Sequence, residues 1–135
     1  MKTIKFLGYL IVCLSLLSLM YVSCLAWIDP SAVMQLVGVE LNNNDALSSI
    51  RGVYGGVGFT LIAVIIFFTL KNLRHSLLLL AGFWIMYALS RLITIGIDGR
   101  LGDFGTKWLT IELLFFGISL ALYLLLSKNL KIIKA

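Results

Sequence analysis

Four long apolar stretches limit what this chain can fold into. They cover about residues 6–28, 46–70, 76–97 and 108–126. A helix that crosses the hydrocarbon of a bilayer needs about 20 mostly apolar residues, and each stretch is long enough. Lipid offers backbone amides no hydrogen-bond partner, so a spanning segment must satisfy its amides internally, as a helix does. The expected fold class is therefore all-α integral membrane. It takes the form of a four-helix antiparallel transmembrane bundle in one domain over residues 1–135. Composition agrees, since 61% of residues are hydrophobic and 13% are charged, against about a quarter charged in a soluble domain.

The first stretch follows Lys2 and Lys5, as a signal peptide would. Its apolar run is longer than the 7–15 residues of a signal h-region, so it is read as a span. A lipoprotein-type cleavage before Cys24 is disfavoured because Tyr21 stands where a small aliphatic residue is wanted. Cys13 and Cys24 are separated along that helix by about 16 Å, too far for a disulfide within one chain. With a single histidine and no Cys/His cluster, no metal and no cofactor is expected.

A net charge of +5 would suggest nucleic acid in a soluble protein. In a membrane chain it reports orientation instead, because Lys and Arg collect at cytoplasmic ends. Lys2, Lys5, Lys71, Arg74, Lys128, Lys131 and Lys134 flank the stretches on one side. Asp29, Glu40, Asp45, Asp98, Asp103 and Glu112 fall on the other. Both termini are thus expected in the cytoplasm, and no nucleic-acid partner is expected.

The outer connections differ in kind. "DGRLGDFGTK" at 98–107 reads as a polar glycine turn, and the inner "KNLRH" as a five-residue connection. Asp29 followed by Pro30 reads as a helix start, an N-cap with proline at the first helical position. Val33, Met34, Leu36 and Val37 then suggest a short apolar helix in the outer interface. Asn44 or Asp45 is expected to cap the second span. Trp27 and Trp108 sit where aromatic belts form.

Three ionisable residues lie inside the stretches. Counted from the span ends, Arg51 is about 7 Å deep, Arg91 about 9 Å and Glu112 about 6 Å. Charge inside a membrane is costly, and such residues usually pair or face a wet cavity. An outward-facing cluster is expected in which Glu112 pairs with Arg51, Arg91 or both. Tyr54 falls three residues after Arg51, on its face. Asp98 follows Arg91 by two helical turns and can neutralise the surplus cation. The candidate ligand-binding residues are Arg51, Tyr54, Arg91, Asp98 and Glu112. Two arginines against one glutamate suit a lipid phosphate or carboxylate. A self-satisfied clasp fixing helix register is the other open reading. Gly52 and Gly56, extended back to Ser48, and Gly117 with Ala121 have the small-xxx-small spacing that lets helices approach. "GGVG" lacks the rest of a phosphate-loop pattern.

Taken together, these residues resemble a family of small bacterial membrane proteins. "WIDP", "IRGVYGG", "SRLITIGIDG" and "IELL" each resemble one of its short motifs, in order and along nearly the whole chain; the family is domain of unknown function 4345. The chain departs from it at Ser49, where the family commonly has an acid. The resemblance implies a four-helix membrane fold in a bacterial cytoplasmic membrane and implies no activity.

The expected function is a non-enzymatic binding module for a small anionic or lipid-like ligand. The alternative is a structural subunit, packing against its own copies or within a larger membrane complex. An enzyme is disfavoured, because no nucleophile–base pair and no metal set is present. No inverted repeat marks a transporter.

Overall fold

The computed structural model describes residues 1–134, with side chains described through residue 128. The side chains of Lys131 and Lys134, expected at the inner end, lie outside the described residues. Helices follow one another as α1 (Lys2–Ile28), α2 (Pro30–Gln35), α3 (Asn44–Ile50), a π-helical segment (Arg51–Gly56), α4 (Val57–Lys71), α5 (Leu73–Ile97) and α6 (Asp103–Lys134). Among the described residues there is no strand. Four helical stretches are long and apolar enough to cross a membrane: Lys2–Ile28, Asn44–Lys71, Leu73–Ile97 and Asp103–Lys128. Large apolar side chains point outward along them, as with Leu70 at 82% exposure, while Ser15, Ser23, Ser76, Glu112 and Ser119 are buried. That inversion suits a chain solvated by lipid, where burying apolar groups gains little and small polar residues mediate packing.

Polar capping residues lengthen the helices beyond their apolar runs. Asn43, in extended backbone, accepts from Ala46 N–H through Oδ1 at 2.8 Å. The N-cap is therefore Asn43 and not Asn44 or Asp45, because the capping residue must precede the first helical position. Asn72 caps α5 by accepting from Arg74 N–H at 3.1 Å. The expected five-residue inner connection thus shrinks to this one non-helical residue. At the far end of α5, Asp98 and Gly99 both donate backbone N–H to Thr94 O, at 2.8 and 3.2 Å. Gly99 has φ +102°, a left-handed C-terminal stop that glycine adopts without cost. The turn expected over 98–107 accordingly closes by residue 102, since α6 begins at Asp103.

The chain forms two compact units. One comprises Met1–Cys13 and Phe68–Ala135; the other is Leu14–Phe67. In the first, α5 and α6 pack antiparallel. Leu73, Leu77, Leu80, Trp84 and Ala88 line the buried side of α5. Glu112, Ser119, Leu122 and Leu126 line that of α6, with Phe115 between them. The α6 spacing of three and four residues is the stripe that lets two helices pack along their length. Register is pinned at three levels. Arg74 meets Ser127, Trp84 meets Phe115 with ring centroids 5.0 Å apart, and Arg91 meets Glu112.

In the second unit Asp29 caps α2, accepting from Ala32 N–H at 3.2 Å, and Pro30 takes the first helical position. The short helix buries Val33 and Met34 against Ala26, with Val22, Leu25, Leu41, Ile50 and Tyr54 packed around them. The π-helical segment widens one turn, so that Val57 N–H donates to Gly52 O five residues back. That extra residue changes which glycines meet a neighbour. A Cβ at Gly52, Gly56 or Gly117 would meet nothing within 4 Å, so the expected packing pairs are open. The close approaches fall at Gly55, where a Cβ would collide with the Trp27 indole, and at Gly58, where it would collide with Ser23 Oγ.

Adding a methyl at these close approaches should therefore cost stability. Gly55→Ala is expected to destabilise the protein by about 1–3 kcal/mol through overpacking. Gly52→Ala and Gly117→Ala should be neutral, or stabilising by up to about 1 kcal/mol. Thermal melting in detergent checks the order.

Candidate functional site

Glu112 and Arg91 form a buried ion pair, the candidate site. Glu112 lies on the packed side of α6 with 1% of its side chain exposed, and Arg91 on α5 with 20%. Arg91 Nε–H donates to both carboxylate oxygens, at 2.9 Å to Oε1 and 2.8 Å to Oε2. The pairing follows from the register of the α5–α6 hairpin. Ala88, one turn before Arg91, is fully buried, and its small side chain lets the helices stay close at this level. A carboxylate this buried needs a partner, since an unpaired charge out of water costs several kcal/mol.

The contact is made through Nε alone. Among the described residues, neither Nη1 nor Nη2 of Arg91 has a hydrogen-bond partner. A guanidinium carries five N–H donors in a planar fork, and the Nη edge suits a carboxylate or phosphate bidentately. Glu112 thus fixes one edge of the guanidinium and leaves the other open.

The other expected site residues are placed as follows. Asp98 ends α5 and is exposed, and its carboxylate forms no ion pair with Arg91. Arg51 and Tyr54 belong to the other unit. Arg51 is exposed on the π-helical segment, and its Nε–H donates to Trp27 O at 3.2 Å. That carbonyl is in the last turn of α1, whose carbonyls lack helical partners, so Arg51 caps the end of α1. Tyr54 packs on the apolar cluster around Ala26, Val33 and Met34 and makes no hydrogen bond with Arg51. Trp27 packs at a tilt against Phe59 with ring centroids 4.4 Å apart, which holds the same helix end.

Ser119 was missed by sequence reasoning. It is fully buried, and among the described residues its Oγ has no hydrogen-bond partner. The available signal was its position seven residues after Glu112, on the same face of α6. Among the described residues, no group of His, Cys, Asp or Glu side chains converges where a metal ion could be held.

A family model described as "Domain of unknown function (DUF4345)" matches residues 9–123. The chain belongs to this family. Arg51, Tyr54, Arg91, Asp98 and Glu112 all lie within the matched region of this DUF4345 chain. Among curated proteins and among solved structures, none matches.

The buried pair should behave as a coupled unit. Arg91→Leu, which strands the Glu112 carboxylate, is expected to destabilise by about 3–5 kcal/mol. Arg91→Leu combined with Glu112→Leu should recover most of that loss. A double-mutant cycle of unfolding midpoints measures the coupling, and additive single effects would show the two side chains to be independent.

Proposed function

We propose that this membrane protein is a non-enzymatic binding module whose Arg91–Glu112 pair holds a small anionic or lipid-like ligand. One observation carries the reading. Arg91 spends only Nε on Glu112 and keeps its Nη edge without a partner among the described residues. In a membrane environment an open guanidinium edge is an expensive group to leave unused. A phosphate or carboxylate meets its geometry. Glu112 then acts as the positioning group, holding the guanidinium plane. On charge distribution, the protein would sit in a bacterial cytoplasmic membrane with both termini inside and this site opening outward. Arg51 offers a second open edge in the other unit, tethered by its bond to Trp27 O.

A second reading is favoured by the continuity of the packed stripe. The Arg91–Glu112 pair closes the same α5–α6 face that Leu80, Trp84 and Leu122 fill. In a structural or accessory subunit the pair would only lock the helices in register. The open faces at Gly52, Gly56 and Gly117 would then pack against a second copy or a larger membrane complex.

Native mass spectrometry of the detergent-purified protein separates the two. The binding reading predicts a retained mass in wild type that is lost in a folded Arg91→Ala variant and weakened in Glu112→Gln. The structural reading predicts no retained mass, together with an Arg91→Ala variant that unfolds or loses an oligomer.

A further inference from the structure

A second arginine on α5, far from Glu112, is built in the same way. Arg74 sits in the first turn of α5, and its Nε–H donates to Ser127 Oγ on α6 at 3.2 Å. Ser127 in turn donates its hydroxyl proton to Tyr123 O at 2.7 Å. The Arg74 guanidinium carbon also lies 5.7 Å from the centroid of the Tyr123 ring. One edge of the guanidinium is thus held by a hydroxyl whose proton is already committed, and the group also rests by an aromatic ring. Among the described residues its Nη1 and Nη2 have no hydrogen-bond partner.

Charge makes this arrangement unlike that of Arg91. Arg91 has Glu112, but among the described residues Arg74 has no carboxylate partner. No Asp or Glu occurs from residue 46 to 97, nor after Glu112. Lys71 and Lys128, both exposed, belong to the same end of the unit. No described carboxylate neutralises this end of the unit, so its surplus cations suit an anion from outside the chain. Along the α5 axis Arg74 stands about 25 Å from Arg91, 17 residues at 1.5 Å each. That is close to the hydrocarbon thickness of about 30 Å. With the outer-facing pair near one surface of the bilayer, Arg74 lies at the other, level with the lipid headgroups. The start of α5 adds its own attraction for an anion.

We infer that Arg74, held by Ser127 and Tyr123, is a binding site for the phosphate of an anionic phospholipid in the leaflet where α5 begins. The site is separate from the Arg91–Glu112 centre and does not depend on a ligand there.

Native mass spectrometry tests it, by titrating the full chain in non-ionic detergent with phosphatidylglycerol, phosphatidylcholine or inorganic phosphate. Wild type should retain one phosphatidylglycerol in preference to phosphatidylcholine. Arg74→Gln should weaken that binding about fivefold, the equivalent of roughly 1 kcal/mol for one basic residue at a headgroup. Arg74→Lys, which keeps the charge but not the fork, should fall between. Ser127→Ala should weaken binding while leaving the cation in place, and it decides the matter if Arg74→Gln does not fold. The same Arg74→Gln effect should appear in an Arg91→Gln, Glu112→Gln background, which removes any ligand of the other centre. The inference is overturned if Arg74→Gln or Ser127→Ala binds phosphatidylglycerol as wild type does. Equal retention of phosphatidylcholine also overturns it. Displacement of the lipid by inorganic phosphate would assign the fork to a soluble phosphate and reject the lipid.

Discussion

A carboxylate buried between two lipid-facing helices needs a cation beside it. Glu112 is 1% exposed and finds Arg91 at 2.8 Å, and the packing of α5 on α6 is organised around that contact. In lipid the apolar side chains of both helices gain little by leaving one membrane-like environment for another. Register must then come from directional contacts. The Arg91–Glu112 pair, the Trp84–Phe115 rings and the Arg74–Ser127 bond supply them at three levels of the hairpin.

The arginines share a mode of attachment. Arg51, Arg74 and Arg91 each donate through Nε, to a main-chain carbonyl, a hydroxyl and a carboxylate respectively. Tethering by Nε holds the guanidinium plane and leaves the Nη edge aimed away from its anchor. Lysine cannot divide its charge in this way, because its ammonium is a single point. The three anchors therefore use arginine in a way that lysine could not serve.

Much of this was legible in the residues. Apolar run length disclosed the four helices long enough to span, and counting depth put Arg51, Arg91 and Glu112 at one level without deciding which arginine pairs with Glu112; the structure pairs Arg91. Asp29 and Pro30 foretold α2. The job of Arg51 was not legible, because capping α1 at Trp27 O requires a contact 24 residues away in sequence. Nor were the contact glycines. Gly52 and Gly56 have the spacing of an α-helical packing face, but the π-helical turn inserts one extra residue and brings Gly55 and Gly58 to the close approaches. Arg74 was read as one of several inner cations; its anchor on Ser127 depends on α5–α6 register, which sequence alone does not set.

The most direct measurement is the dipolar coupling between Arg91 15Nε and Glu112 13Cδ, read by solid-state NMR on the protein in lipid bilayers. A strong coupling, as required by direct Nε–H bonds of 2.8 and 2.9 Å to the two carboxylate oxygens, is the result this account predicts. It also predicts Nη nitrogens whose signals respond to added anionic ligand while the Nε coupling persists. An absent Nε–Cδ coupling in a folded bilayer sample would contradict the account, since the pair would then neither lock the hairpin nor orient the arginine.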